Sequence, residues 1–186
     1  MADNTFYNEI LTEHNIRPLY KRKLPEASFT LEGINPNCGD DIILNLKIEE
    51  GRITDGSFEG SGCAISQASV DMMLDLVVGK TREEALRLAE IFLRMIKGEA
   101  SEKEIEELDE ASILKDISHM PARVKCAVLG WHTMKEIFEK EMLGKSLREM
   151  FFELNVETED RFQKIKDDFL KVNIWGNTGE EDIFIE

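Results

Sequence analysis

The chain has 186 residues, and its 42% content of hydrophobic residues is enough to bury a folded core. Asp and Glu outnumber Lys and Arg by 38 to 23, and the formal net charge of -15 makes nucleic acids and anionic membrane surfaces poor partners. The first residues carry acids where a secretory signal needs a basic start, and no segment is apolar over the length that crosses a bilayer. The sequence therefore predicts a folded cytoplasmic protein that binds neither nucleic acid nor membrane.

The first third of the chain predicts a helix followed by a small sheet. The helix ends at about Asn15, and an exposed basic loop follows it. Alternating apolar residues over 42–48 predict a half-buried strand, and the turn "EEGR" leads into a second strand over about 52–59. A third strand over about 28–31 joins this hairpin.

Beyond the strands the apolar period changes from two residues to that of a helix. One helix begins at Cys63 and ends at Gly79, where glycine is typical of a helix C-terminus. Two sequences of the capping-box type, which begin at Thr81 and at Ser101, predict two more helices. The second of these is short and very acidic.

The next predicted helix begins at Pro121, runs to about Lys140 and carries Cys126 near its start. The composition then shifts to two amphipathic helical stretches and an acidic tail. We therefore predict a domain of residues 1–143 and a helical appendage of residues 144–186. The sequence leaves the role of the appendage and the oligomeric state open.

The three cysteines raise the question of a shared site. An odd number of thiols in a chain expected in the cytoplasm argues against a disulfide framework. Cys38 and Asp40 flank a glycine in "NPNCGDD", and a tight turn there would direct both side chains to one side. Cys63, in "GSGCAIS", stands at a helix N-terminus, where the helix dipole favours the thiolate.

Cys126 lies in "RVKCAVLGW", where Arg123 and Lys125 would favour its thiolate. Taken singly, each residue has an ordinary interpretation, since a lone cysteine is more often a small buried side chain and Asp40 a turn carboxylate. Zinc and iron-sulfur clusters both take thiolate ligands. Composition and spacing alone therefore support only the general hypothesis of a metal site with thiolate ligands, and they do not identify the metal.

A tetrahedral zinc site has four ligands. Beside the three cysteines, three histidines compete with Asp40 for the fourth position. His14, His119 and His132 are all expected at the surface or as helix caps. His119 is the best alternative of the three, because the loop before a helix could fold back over the first turn of that helix.

Two stretches carry a resemblance to a known family: "NPNCGDDIILNLKIEEGRITDGSFEGSGCAISQASVDMM" and "MPARVKCAVLGWHTM". They closely resemble the U-type iron-sulfur cluster assembly proteins, which include IscU and the N-terminal domain of NifU, over roughly residues 4–140. The resemblance implies an α+β fold. It implies a small sheet of about three mainly antiparallel strands, with helices packed on one face and the metal site at one end.

Within this family the chain is most similar to the SufU branch. Lys125 stands where the IscU branch has a histidine, and a long insertion separates the second and third cysteines, as in the SufU branch. The resemblance implies four zinc ligands: Cys38, Asp40, Cys63 and Cys126. Arg123 and Lys125 are candidates to steady the anionic site from beside these ligands.

The resemblance also implies a function. SufU-like proteins accept persulfide sulfur from a PLP-dependent cysteine desulfurase (SufS-like) and pass it on for cluster assembly, and Cys38 is the expected acceptor. The alternative is a scaffold on which a [2Fe-2S] cluster is assembled with the same ligands and handed to other proteins. Whether the protein is a sulfurtransferase-like enzyme or a non-enzymatic scaffold is left open, and a purely structural zinc protein is a third option.

Overall fold

The computed structural model describes residues 9–153, and of residue 144 and residues 146–153 it describes the backbone alone. The second predicted helix of the appendage and the acidic tail lie outside these residues. The described elements in chain order are α1 Glu9–Ile16, β1 Phe29–Asn35, β2 Asp40–Glu49, β3 Arg52–Ser61, α2 Ala64–Val77, α3 Arg82–Ile96, α4 Glu102–Glu106, the 3-10 helix Asp109–His119 and α5 Pro121–Glu153. A helix, a small sheet and a set of helices follow one another as predicted.

The three strands form an antiparallel sheet in the order β1-β2-β3. In the central strand the alternate residues Ile42, Leu44 and Leu46 are fully buried. Leu44 lies opposite Leu31 of β1 and Phe58 of β3, so one face of the sheet is continuous and apolar. This face confirms the strand pattern that the alternation predicted.

Two glycines show where helices cover this face. A methyl group at Gly33 of β1 would overlap Thr133 of α5, and one at Gly56 of β3 would overlap Leu74 of α2. Both glycines lie on the face that carries the buried residues of β2. Helices α2 and α5 therefore pack on the same side of the sheet, as the resemblance implied.

Helices α2 and α5 cross at very short range. A methyl group at Gly130 of α5 would overlap Val70 of α2. The hydroxyl of Ser69 donates to the carbonyl oxygen of Ala127 at 2.6 Å and accepts from Nε1 of Trp131 at 3.1 Å. These contacts fix the register of α5 on α2 and bring the first turn of α5 to the N-terminal end of α2.

Two elements differ from the prediction. The short acidic helix α4 ends at Glu106, and the chain continues as the 3-10 helix 109–119, which was not predicted. Asp109 has a φ of 49°, and an aspartate tolerates this left-handed conformation where the chain turns. Helix α5 continues beyond the predicted end at Lys140 to Glu153, because Gly144 inside a helix costs only about 1 kcal/mol.

The chain divides into two compact units, Met1–Ile137 and Phe138–Glu186, and the sheet lies in the first. The domain boundary after residue 143 stays a prediction, since most of the segment beyond it lies outside the described residues. Within residues 9–153, none of the helices is both long enough and apolar enough to cross a bilayer.

One buried ion pair anchors α1. Nδ1 of His14 lies 2.7 Å from Asp71 of α2, and Nε2 lies 2.8 Å from Glu110. The Asp71 carboxylate is fully buried and also accepts the backbone N–H groups of Leu19 and Tyr20. The expectation of a surface or capping role for His14 was wrong, because two carboxylates compensate for the burial of its ring.

This ion pair makes stability depend on pH. Burial lowers the pKa of His14, but the hydrogen bonds and charges of Glu110 and Asp71 outweigh it and hold the pKa above the ordinary value of 6.5. Between about pH 6.5 and the raised pKa, the folded state binds more protons than the unfolded state. We therefore expect the free energy of unfolding to fall there as pH rises, by at most about 1.4 kcal/mol per pH unit, and to fall less in His14→Gln.

Urea denaturation of both proteins across this pH range measures the difference. His132→Gln is the matched control, because burial and the charges of Lys135 and Lys97 lower the pKa of His132. The contribution of His132 to stability is lost as pH falls. Replacing His132 therefore leaves unchanged the decrease in the free energy of unfolding that is expected above about pH 6.5. Equal slopes for the wild type and His14→Gln would contradict this account.

Candidate metal centre

The turn between β1 and β2 sets two of the predicted ligands. The backbone N–H groups of Cys38 and Gly39 both donate to the carbonyl oxygen of Asn35, at 3.2 and 2.9 Å. Gly39 has a φ of 70°, which favours glycine, so a tight turn forms where the sequence predicted one. Cys38 lies at the tip of this turn, and Asp40 begins β2 opposite Asn35.

Three of the four predicted ligands lie together. One ligand atom each from Cys38, Asp40 and Cys126 lies within 4.8 Å of the other two. The Sγ atoms of Cys126 and Cys38 are 3.2 Å apart. Asp40 is 1% exposed and Cys126 is 0% exposed, whereas Cys38 is exposed, so one thiol of a buried group faces solvent.

The Asp40 carboxylate connects the turn to the start of α2. Its Oδ1 accepts the backbone N–H of Cys63 at 2.7 Å. Its Oδ2 accepts from Nδ2 of Asn35 at 3.4 Å. Both oxygens therefore have donors from the protein, which offset the cost of burying the carboxylate.

Cys63, the fourth predicted ligand, lies beside this group and is not one of its three members. Its side chain caps α2 and accepts the backbone N–H of Ser66 at 3.4 Å, while the Ser66 hydroxyl donates to the Cys63 carbonyl oxygen at 3.0 Å. The Cys63 charge contributes to the raised pKa of Cys126, so the two thiols are neighbours. Cys63 therefore stands at the start of α2, where the sequence placed it.

Burial raises the pKa of the Cys126 thiol, and its hydrogen bonds with Cys38 and Asp40 raise it further. Arg123 and Lys125, which were expected to favour this thiolate, are both exposed. Burial is the main influence on the pKa of Cys126. A thiol in this setting becomes a thiolate when a cation joins the cluster.

The donor set fits zinc. Two thiolates on one tetrahedral zinc ion, with bonds of about 2.3 Å, lie about 3.8 Å apart. The Sγ atoms of Cys38 and Cys126 are 3.2 Å apart, so the exposed Cys38 side chain would move slightly outward to share an ion with Cys126. Thiolates with one carboxylate are a common zinc-binding combination. His119 is exposed, and among the described residues the group contains no histidine.

Residues 6–127 match the family described as the NifU-like N terminal domain. This chain belongs to that family. It is 38% identical over 144 residues to the iron-sulfur cluster assembly scaffold protein IscU of Streptococcus pyogenes serotype M1, a match that covers 77% of this chain and 89% of the relative. It is 36% identical over 141 residues to the zinc-dependent sulfurtransferase SufU of Bacillus subtilis, with coverage of 76% and 95%.

A solved structure shows the same fold. The crystal structure of a protein from Fervidobacterium islandicum AW-1, provisionally named an iron-sulfur cluster assembly scaffold protein for the SUF system, superposes with a TM-score of 0.66 at 32% identity. The match covers 72% of this chain and 96% of that protein. The family membership and the α+β fold inferred from the two sequence stretches are thus confirmed.

Three polar or small residues that contact the candidate metal ligands of this NifU-like domain were not predicted from the sequence to have a role in the site. Asn35 is buried beside Asp40, Ser66 bonds Cys63, and a methyl group at Gly62 would overlap the Ser66 hydroxyl and lie 3.3 Å from Asp40 Oδ1. The only signal available was proximity, since each residue lies within five positions of a predicted ligand. Their contacts depend on the fold.

Gly62 provides a mutational test of this packing. In Gly62→Ala the added methyl group must displace Ser66 or Asp40, so we expect a loss of about 1–3 kcal/mol in the free energy of unfolding, together with weaker zinc binding. Chemical denaturation and zinc titration against a competing chelator measure the two effects.

Gly51→Ala is the matched control. Gly51 has a φ of 77° in the β2–β3 turn, with open space around it. The substitution costs about 1–2 kcal/mol through backbone strain and leaves zinc binding unchanged. Equal zinc affinities in Gly62→Ala and the wild type would contradict the view that the close packing of Gly62 against Ser66 and Asp40 holds the metal ligands in place.

Proposed function

We propose that this protein accepts persulfide sulfur from a cysteine desulfurase and passes it on for iron-sulfur cluster assembly, with zinc bound at the acceptor site. The observation that carries the proposal is the asymmetry of the cluster: Cys38 is exposed, while Asp40 and Cys126 are buried beside it. A purely structural zinc site gains nothing from an exposed ligand, whereas an acceptor thiol has to be reached by its donor.

The residues that would hold zinc are Cys38, Asp40, Cys63 and Cys126. Bound zinc would keep these thiolates deprotonated and, being redox-silent, would not itself oxidise them. A relative of this chain is named a zinc-dependent sulfurtransferase, and it is 36% identical with 95% of its length covered. The burial of Asp40 and Cys126 suits ligands that stay in place while the exposed Cys38 reacts.

The transfer step is an exchange at sulfur. The Cys38 thiolate attacks the outer sulfur of a persulfide on the donor enzyme, a new S–S bond forms at Cys38, and the bond to the donor cysteine breaks. The donor cysteine leaves as a thiolate and takes up a proton. Two electrons move with the broken bond, so the step consumes no external oxidant or reductant.

The donor is a PLP-dependent cysteine desulfurase (SufS-like), and the product passes to downstream assembly or acceptor proteins in the cytoplasm. Two large apolar side chains are exposed near the acceptor site. Ile34, just before the turn that carries Cys38, is 51% exposed, and Met120, just before α5, is 42% exposed. Exposed apolar side chains around a reactive thiol suit a protein partner that covers the thiol during transfer. Arg123 and Lys125, both exposed near the start of α5, are candidates to steady the anionic persulfide.

A second candidate function is a scaffold on which a [2Fe-2S] cluster is assembled with the same ligands. The IscU relative named as a scaffold supports it, at 38% identity. Lys125 favours the sulfur acceptor, because members of the IscU branch have a histidine before the third cysteine.

The test compares the wild type with Cys38→Ser and Asp40→Ala after anaerobic and aerobic purification. We expect one zinc per chain in the wild type, and zinc binding in Asp40→Ala that is weaker by at least about 10–100-fold. Wild-type protein is expected to stimulate the desulfurase, and Cys38→Ser is expected to lose this stimulation because it lacks the accepting sulfur. Metal analysis and a sulfide-release assay on the same samples measure both.

Asp41→Ala is the matched control, since neighbouring strand residues point to opposite faces and Asp41 lies outside the group of three. It should retain zinc and stimulation. Iron and sulfide in the anaerobic wild type, retained better in Asp40→Ala and accompanied by little stimulation, would instead support the scaffold.

A further inference from the structure

Asn35 contacts two members of the metal-ligand group at once. Its side chain is 4% exposed at the end of β1. Nδ2 lies 3.4 Å from Oδ2 of Asp40 and 3.5 Å from Sγ of Cys126. On the other side of the amide, Oδ1 accepts the backbone N–H of Asn37 at 3.3 Å. One side chain thus joins the turn, the carboxylate and the thiol of α5.

The chemistry of an amide fixes which end faces the cluster. The NH2 group has two hydrogens to donate, and the carbonyl oxygen only accepts. With the oxygen held by the Asn37 N–H, both hydrogens are directed at acceptors that carry negative charge when metal is bound. A flipped amide would place its oxygen against the Asp40 oxygen and the Cys126 sulfur, which repel it.

The bond to Asp40 restricts how this carboxylate can bind. Oδ1 is already held by the Cys63 N–H at 2.7 Å, and Asn35 holds Oδ2. A carboxylate restrained at both oxygens cannot swing freely to place two oxygens on a large cation. One oxygen at short range, together with thiolates, is the arrangement that tetrahedral zinc takes.

We infer that Asn35 is a positioning residue for the metal centre: its amide aligns the Asp40 carboxylate and the Cys126 thiolate for one small, tetrahedral ion. The inference rests on the proposed function for the presence of that ion. Groups that bond metal ligands from outside set ligand orientation, and their loss typically weakens metal binding by about 10–100-fold. Asn35 therefore contributes to affinity and geometry without touching the metal.

A merely structural role is the competing explanation, since any buried polar side chain stabilises the fold through its hydrogen bonds. Asn45 of β2 separates the two roles. It is also a buried asparagine of the same sheet, 5% exposed, and it bonds Ser57 and Thr30 instead of a ligand. Asn45→Asp places the same new carboxylate in the sheet away from the ligand group.

The experiment measures zinc affinity by competition with a chelator and the absorption spectrum of the cobalt(II)-substituted protein, whose bands report ligand geometry. The proteins are the wild type, Asn35→Asp, Asn35→Ala and Asn45→Asp, each with a thermal melt. We expect about a 10–100-fold loss of zinc affinity and changed cobalt bands in both Asn35 variants. Asn45→Asp is expected to lower the melting temperature and to leave affinity and spectrum as in the wild type.

Asn35→Ala, which adds no charge, provides the result if Asn35→Asp does not fold. Wild-type affinity and an unchanged cobalt spectrum in Asn35→Ala would overturn the inference and leave the proposed function standing. A wild-type protein that binds no zinc would overturn both. Equal losses of affinity in Asn35→Ala and Asn45→Asp would assign the effect to stability of the sheet and overturn the inference as well.

Discussion

The carboxylate of Asp40 is the constraint around which the centre is organised. A buried carboxylate is costly unless each oxygen has a donor or a cation. Here the backbone N–H of Cys63 bonds Oδ1, and the Asn35 amide bonds Oδ2. To make these two bonds, the end of β1, the start of β2 and the N-terminus of α2 must meet at one point. Shifting any of the three would leave a buried charge without its partner.

The close crossing of α2 and α5 completes this arrangement. Because Gly130 admits Val70 and Ser69 bonds Ala127, the first turn of α5 is held against the start of α2. Cys126 is thereby placed 3.2 Å from the sulfur of Cys38. Strand β2 and helix α5 carry the buried ligands Asp40 and Cys126, while the exposed turn carries the thiol that we propose to react. Such a division suits a protein that must hold a metal and still present one sulfur to a partner.

Much of this organisation follows from local sequence. The alternation over residues 42–48 sets the central strand, and the capping box at Thr81 forms as the sequence predicted, with the Thr81 hydroxyl accepting from Glu84 N at 3.2 Å and the Glu84 carboxylate accepting from Thr81 N at 2.7 Å. Cys38 and Asp40 share one turn, so their proximity could be predicted as well. These features depend on neighbours within a few residues.

The features that sequence reasoning missed depend on contacts between distant segments. His14 is buried because Asp71 and Glu110 meet it from two other elements, and a sequence shows no such meeting. Asn35 has no motif of its own, since its importance comes from the pairing of β1 with β2.

The central claim is that Cys38, Asp40, Cys63 and Cys126 bind one zinc ion together. X-ray absorption spectroscopy at the zinc edge, on the full chain loaded with one equivalent of zinc, tests it most directly. The account expects three sulfur scatterers at about 2.3 Å and one oxygen at about 2.0–2.2 Å. A shell with a histidine in place of the carboxylate, or with fewer than three sulfurs, would contradict it.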